Sequence, residues 1–342
     1  MSDADGTTAF GFLGAGNIST SALAPAVHAA SGAHLQAVAA RDQHRASALE
    51  PRGRSYDDYA ALLGDDSVEV VYVALANDSH ERWAVAALEA GKHVLCEKPL
   101  GLDRGQVERM AAAAVAADRL LVEAWWYRWH PRTLRAVELV RSGALGRVRR
   151  VEAEFSFDGD LTGGLAGNYR LDPARGGGAV YDVGCYAVDA ARWALQAGEL
   201  RVDHAEGSFT HGVDVRATAR LAPARPGDGP VPSAEVRCGI QGRDEQLVAV
   251  SGEEATLVLG GQSFTTRDAP CRLHLHAHGG DRRTGGQVED FAAVDPYRLM
   301  VEAVAAAVRG EDVWLPTLQD SLDIATTTDA VRAVLKHPSG HL

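Results

Sequence analysis

A short apolar strand, Ala9-Phe10-Gly11-Phe12-Leu13, runs straight into Gly14-Ala15-Gly16-Asn17-Ile18-Ser19 and then into a helical stretch through Ala30. A strand that closes in glycines and opens a helix leaves unpaired backbone N–H groups and the positive end of a helix dipole facing outward. That arrangement receives a pyrophosphate, so Gly14, Gly16, Asn17 and Ile18 are candidate cofactor residues. The third fingerprint position is Ser19 rather than glycine, and a plain strand-to-helix turn is the competing reading.

The next hundred residues repeat the alternation. Strands are expected at Leu35 to Ala39, Val68 to Leu75, Lys92 to Cys96 and Leu120 to Ala124. Helices are expected at Gln43 to Glu50, Tyr56 to Leu63, Ser79 to Ala90 and Leu102 to Ala117. Continuous apolar strands alternating with helices predict a doubly wound parallel sheet covered on both faces.

In such a sheet the residue closing the second strand selects the cofactor, because an acid there accepts hydrogen bonds from the adenosine ribose. Here the place falls on Ala39-Ala40-Arg41-Asp42. If the strand ends at Ala40, Arg41 is left to hold a 2'-phosphate and NADP is favoured over NAD. The other reading has Asp42 reaching the ribose.

Beyond Gly146 the pattern changes to period-two alternation, at Val148 to Phe157, Val213 to Leu221, Ser233 to Ile240, Glu245 to Ser251 and Ala255 to Leu259. This predicts an open antiparallel sheet with one face buried, in a C-terminal α+β domain. The proline-rich stretch Ala222 to Ser233 is a loop, and Tyr297 to Val308 and Thr317 to Leu335 are closing helices. The boundary is placed to give an N-terminal domain over 1–127 and a C-terminal one over 128–342.

Bulk properties narrow the partners. With 342 residues and a net charge of −12, the chain would repel nucleic acid and anionic lipid. Cys96, Cys185, Cys238 and Cys271 lack metal or scaffold spacing and read as free thiols. The first nine residues lack the features of a secretory signal, and no apolar run approaches the ~20 residues of a membrane span. A cytoplasmic protein is expected.

Two segments carry candidate chemistry. Glu97-Lys98-Pro99 follows the apolar strand end Val94-Leu95-Cys96, where a lysine packs badly but serves well beside a cofactor. Its alternative is a solvated strand end. Gly176-Gly177-Gly178 precedes Asp182 and Tyr186, which on a regular helix would share one face. For these the alternatives are a helix cap and a packed aromatic. His274, His276 and His278 alternate in a strand, but they read as an exposed strand face, and no metal site is expected.

Taken in order, Gly14-Ala15-Gly16-Asn17-Ile18, Asn77 to His80, Glu97-Lys98-Pro99 and Gly178-Ala179-Val180-Tyr181-Asp182 with Tyr186 resemble the glucose-fructose oxidoreductase, inositol dehydrogenase and rhizopine catabolism (Gfo/Idh/MocA) family. Glu123-Ala124-Trp125-Trp126-Tyr127-Arg128-Trp129-His130-Pro131 and Arg170-Leu171-Asp172-Pro173 resemble its tyrosine-type branch of xylose dehydrogenases, dihydrodiol dehydrogenases and nucleotide-ketosugar reductases. There a tyrosine, here Tyr186, replaces the family's usual helix histidine.

The resemblance implies an NAD(P)-dependent oxidoreductase acting on a sugar or sugar-like cyclic substrate, and a homodimer or homotetramer formed through the second-domain sheet. It implies Tyr186 as proton donor and acceptor, Lys98 as its cation, and Asp182 holding a substrate hydroxyl or positioning Lys98. Asn77, His80, Glu97 and Arg128 would lie along the cofactor, and Trp126, Trp129, His130, Asn168, Tyr169 and Arg170 along the substrate, with Trp126 and Trp129 alternatively interdomain core. Ala76 stands where a proline usually precedes the asparagine, which implies a looser loop. Other activities found on this fold, a cofactor-binding regulator without turnover and a glycosidase using transient oxidation, are the alternatives.

Overall fold

The computed structural model describes residues 6–159, 168–278 and 286–336. The first five residues, part of the stretch read for a leader, lie outside them. The chain divides into two compact units. The first runs to Trp129 and takes in Asp295–Leu322; the second holds His130–Val294 and resumes at Asp323.

The first unit is built on six parallel strands: β1 (Thr8–Leu13), β2 (Ala33–Ala39), β3 (Ser55–Tyr56), β4 (Val70–Val73), β5 (His93–Cys96) and β6 (Leu121–Glu123), in the order β3-β2-β1-β4-β5-β6. Every residue of β1, β4 and β6 is buried, as expected of strands covered on both faces. The order reverses at β1, whose neighbours are β2 and β4, and this is where a doubly wound sheet opens a crevice at its carboxyl edge. The turns after β1, β4 and β5 therefore lie side by side.

Aspartates set the helix starts. Asp42 caps α2 (Gln43–Ser47), Asp58 caps α3 (Tyr59–Leu63) and Asp103 caps α5 (Arg104–Ala117), each accepting a backbone N–H from the first turn. The expected start of α3 at Tyr56 is wrong for that reason: Ser55–Tyr56 pairs with Val38 and Ala39 as a short edge strand, and the helix waits for its cap. The remaining helices of this stretch are α1 (Ala24–Ala29) and α4 (His80–Glu89).

Opening on α6 (Pro131–Arg141), the second unit continues with β7 (Val148–Ser156) and α7 (Cys185–Ala194). Next come β8 (Leu200–Thr210), β9 (Val213–Pro223), β10 (Ser233–Gly239), β11 (Glu245–Gly252), β12 (Ala255–Leu259), β13 (Cys271–Ala277) and β14 (Gly286–Phe291). These eight strands form one sheet, in the order β14-β13-β12-β11-β7-β10-β9-β8. The sheet is mixed rather than purely antiparallel, since β10 runs parallel to β7 at its centre. Alternation in sequence reports which face a residue lies on, not the direction of the neighbouring strand.

Every residue of α7 is buried. Phe155 meets Tyr186 of α7 edge to face at 5.3 Å. Because side chains alternate along a strand, Glu152 and Glu154 point from the opposite face, where Glu154 takes Arg237 at 2.6 Å. The edge strands β8 and β14 are largely exposed.

The last two helices are α8 (Pro296–Val308) and α9 (Leu318–Lys336). The expected boundary treats everything after 128 as one domain, yet α8 packs on the first unit, where Tyr297 stacks on Trp126 at 4.3 Å and Thr8 donates to the Ala305 carbonyl. A helix packs where its apolar stripe, here Tyr297, Met300, Val301 and Val304, finds a matching face, whatever its position in the chain.

Gly14 is the tightest point of the first unit. It sits at φ +103°, and a Cβ there would collide with the Ala74 carbonyl oxygen. Gly14→Ala is expected to lower stability by about 2–4 kcal/mol through strain and displacement of backbone. Urea unfolding measures this, and a midpoint equal to that of the parent would show that the contact can relax.

Candidate active site

The glycine turn is built around a substituted hydroxyl. Gly14 N–H donates to the Ala39 carbonyl at 2.8 Å, and the buried Ser19 hydroxyl donates to the Gly14 carbonyl at 2.8 Å. Ser19 thus does with a hydrogen bond what a third glycine does with close packing. Around Gly16 there is open space on the side a Cβ would occupy; Asn17 is exposed and Ile18 half-buried, and the helix begins as a π-helical turn over Ser19–Leu23. A backbone cradle with no side chain over Gly16, at the carboxyl end of β1, fits the pyrophosphate of a dinucleotide.

Strand β2 ends at Ala39, the expected end, and Ala40 N–H is taken by the Tyr56 carbonyl. Asp42 does not project toward a ribose: its Oδ1 accepts the N–H groups of His44 and Arg45 at 3.0 and 3.2 Å as the cap of α2. Arg41 is exposed beside it.

The turn after β4 carries Asn77, 4% exposed, at the start of a 3₁₀ turn. Ala76 adopts φ −71° and ψ 151°, with φ in the range a proline ring would fix. His80 is fully buried, with Nδ1 2.9 Å from the Pro99 carbonyl oxygen and Nε2 3.1 Å from that of Leu75. Burial holds its imidazole below the usual histidine range. Both ring nitrogens face backbone carbonyls, and a neutral ring donates to one of them.

After β5 comes Glu97, 8% exposed, whose Oε1 accepts the Tyr72 hydroxyl at 2.6 Å. Burial, reinforced by the Glu97 charge, pushes the Tyr72 phenol well up. This carboxylate is committed to Tyr72 and, through Oε2, to the Lys98 N–H at 3.3 Å. Lys98 itself is half-buried and precedes a cis peptide bond to Pro99.

Residues 126–129 form a buried 3₁₀ turn. Trp126 stacks on Tyr297, Trp129 meets Trp314 at 5.4 Å, and the Arg128 guanidinium lies 5.6 Å over the Trp314 ring. All three pack within the first unit, so Trp126 and Trp129 are core residues of that unit. Trp314 is 42% exposed and lies in an irregular segment, where no periodicity in the sequence marks it.

In the second unit the three-glycine turn leads into a π-helical turn, Val180–Gly184, and then α7. Such a turn shifts the phase of the helix after it, so Asp182 and Tyr186 do not act as an i, i+4 pair on one regular face. Asp182 Oδ2 takes Arg170 Nε at 2.6 Å, and the carboxylate charge raises the Arg170 pKa further. Tyr186 is 4% exposed, with its ring set edge-on to Phe155 and to Phe264.

Arg170 also lies 5.1 Å over the Tyr169 ring, and its N–H is accepted by Asn168 Oδ1 at 3.2 Å, so Asn168, Tyr169 and Arg170 form one half-buried turn. Asp182 is not the helix cap. That role belongs to Asp214 of β9, whose Oδ2 accepts the Val180 N–H at 2.7 Å and against which a Cβ on Gly178, at φ +114°, would collide. Burial pushes the Asp214 carboxyl up. Nothing in the strand's sequence pattern distinguishes Asp214; only the tertiary pairing does.

His130, expected along the substrate, is held by the start of its own helix. It is 2% exposed and caps α6, its Nδ1 accepting the Arg132 N–H at 3.0 Å. Of the three strand histidines, His274 and His276 stack on each other at 6.0 Å while His278 holds Thr256 Oγ1 at 3.0 Å. Among the described residues no helix is long and apolar enough to cross a membrane.

A Rossmann unit with an open glycine cradle and a lysine turn, joined in one chain to a mixed-sheet unit, defines a dinucleotide-dependent oxidoreductase. Residues 8–124 match the oxidoreductase family with an NAD-binding Rossmann fold, and 133–258 match the GFO/IDH/MocA C-terminal domain. The chain is 35% identical over 327 residues to a D-xylose 1-dehydrogenase (NADP(+)) of Haloferax volcanii, covering 94% of this chain and 95% of that one. It is 36% identical over 183 residues to a dTDP-3,4-didehydro-2,6-dideoxy-alpha-D-glucose 3-reductase of Actinomadura kijaniata, covering 53% of this chain and 54% of that one. A solved structure of a 3-ketoreductase from Actinomadura kijaniata with NADP and TDP-benzene superposes with a TM-score of 0.84 at 28% identity, covering 96% of this chain and 97% of that one. The chain belongs to the Gfo/Idh/MocA family.

His130 gives a pH signature. Burial, with the Arg132 charge, lowers its pKa from 6.5 to about 4. The folded state therefore binds its proton less readily than the unfolded chain, and the stability this contributes is present above pH 6.5 and lost as pH falls toward 4. Denaturant unfolding should show a loss of about 2 kcal/mol from this residue between roughly pH 7.5 and pH 5. His130→Asn, which keeps a capping side chain, should remove most of that loss; an undiminished pH dependence in the variant would contradict the assignment.

Proposed function

We propose that this chain is an NADP-dependent oxidoreductase that transfers a hydride between the nicotinamide and a carbinol or keto carbon of a sugar or sugar-like cyclic substrate. The observation that carries the reading is the alignment of the open glycine cradle after β1 with the Lys98 turn after β5 on one sheet edge. The NADP-linked sugar enzymes among the relatives support the substrate class.

When bound, the nicotinamide supplies or receives the hydride. The residues of this chain handle the proton. Tyr186 gives and takes the hydroxyl proton, its ring held on two edges by Phe155 and Phe264. A phenol of ordinary pKa ~10 is a poor base at neutral pH, and Lys98 provides the cation that lowers the barrier to its ionisation and steadies a developing alkoxide. Asp182 is neutralised by Arg170, which fixes the turn carrying Asn168 and Tyr169 beside α7.

Arg41 supports NADP over NAD, because the Asp42 carboxylate is committed to its helix and Arg41 remains exposed for a 2'-phosphate. The same reading assigns the enzyme to the cytoplasm, in keeping with four free cysteines, and to a homodimer or homotetramer. No observation favours the regulator or glycosidase alternatives.

Spectrophotometry with NADP and a panel of aldoses, D-xylose among them, together with the reverse reaction on dTDP-linked ketosugars, tests the activity. Lys98→Ala and Tyr186→Phe should each lower kcat by about 10²–10⁴-fold while NADPH still binds by fluorescence; full turnover in both would overturn the assignment. Arg41→Ala should raise KM for NADP by about tenfold and leave KM for NAD unchanged, and equal effects on the two cofactors would count against a 2'-phosphate contact.

A further inference from the structure

Lys98 is followed by Pro99, which has no N–H, so the first peptide group after the lysine that can be held at both ends is the one joining Pro99 to Leu100. Its carbonyl oxygen lies 2.9 Å from His80 Nδ1, and its N–H donates to Glu123 Oε1 at 2.8 Å. Both side chains are buried, His80 at 0% and Glu123 at 3% exposure. They come from opposite sides: His80 opens α4 just after β4, Glu123 ends β6, and these strands flank β5. On the other side of the lysine, Glu97 N–H donates to the Val73 carbonyl at 3.0 Å.

From this we infer that His80 and Glu123 are positioning residues for Lys98, gripping the two ends of a single peptide group so that the lysine leaves the sheet edge from a fixed backbone. The inference rests on the proposed role of Lys98. Neither residue touches the reacting atoms in this account; each acts by removing freedom from the turn. A turn free to shift by an ångström would spread the ammonium over several positions, and misplacement of that size reduces turnover about 100-fold. The neutral ring that burial favours has one N–H. The latch places that proton on Nδ1, facing Pro99, which is the nearer of the two carbonyls.

Steady-state kinetics on a double-mutant cycle tests it. His80→Leu and Glu123→Leu should each lower kcat about 30- to 100-fold with KM for NADP changed less than about threefold, and Glu123→Gln, which keeps the acceptor oxygen, should recover most of the loss. In a Lys98→Ala background the same substitutions should add less than about threefold. Losses that multiply in full in that background would show that the two residues act independently of Lys98 and would overturn the inference. If Lys98→Ala alone leaves turnover intact, the proposed function fails instead, and the two failures are distinct. Two measurements on the parent protein stand whatever the variants do. Imidazole ¹⁵N shifts should show a proton on His80 Nδ1, and the Leu100 amide should be protected from exchange. A bare Nδ1 or a freely exchanging Leu100 amide would disprove the latch.

Discussion

The close approach of the Gly14 backbone to the Ala74 carbonyl is the constraint on which the first unit depends. It joins the turn after β1 to the turn after β4 with no room for a side chain. The Gly14 N–H reaches in the other direction to Ala39 at the end of β2, so three adjacent strand ends are tied through one residue. Only glycine meets both demands, since φ +103° and the missing Cβ are needed together. The crevice of a doubly wound sheet arises from strand order, but its width here is set by this contact, and the backbone that faces an incoming pyrophosphate inherits that geometry.

Local rules were readable in the chain and long-range pairings were not. The strands of the first sheet are continuous apolar runs and were placed to within a residue or two, apart from Ser55–Tyr56, which is too short to show a period. In the second sheet the covered strands carry a clean alternation, whereas β8 reads Leu-Arg-Val-Asp-His-Ala-Glu-Gly-Ser-Phe-Thr and buries little as an edge. A strand that contributes little to the core leaves little hydrophobic signal. The parallel pairing of β7 with β10 and the return of α8 to the first unit both depend on which surfaces meet.

The candidate residues divide along the same line. Gly14, Gly16 and Lys98 could be located from sequence because they lie in turns that directly follow apolar strands. Arg170, His130 and Trp129 are placed along the substrate only by the family resemblance. Each has a protein partner: Asp182, the Arg132 N–H and Trp314. Burying a charged or polar group without a partner costs several kcal/mol, so such residues near a site are often already engaged. The His130 pairing is a local helix cap, whereas the other two link residues 12 and 185 positions apart, which no local pattern encodes.

The two glycine turns of the chain solve the same problem in the same way. Gly14 and Gly178 both lie at positive φ, and each is followed within a few residues by a π-helical turn. Each turn is fixed by a side chain that bonds to backbone: the Ser19 hydroxyl to the Gly14 carbonyl, and the Asp214 carboxylate to the Val180 N–H. A π-helical turn leaves its backbone less regularly bonded than an α-helix and is stable only where its surroundings hold it, which explains why both turns are buried on the sheet side. The benefit is directional. A single inserted residue rotates the rest of the helix by about 100° relative to an uninterrupted one, so Tyr186 is aimed by the turn that precedes α7. Asp214 thereby governs the direction of a phenol it does not touch.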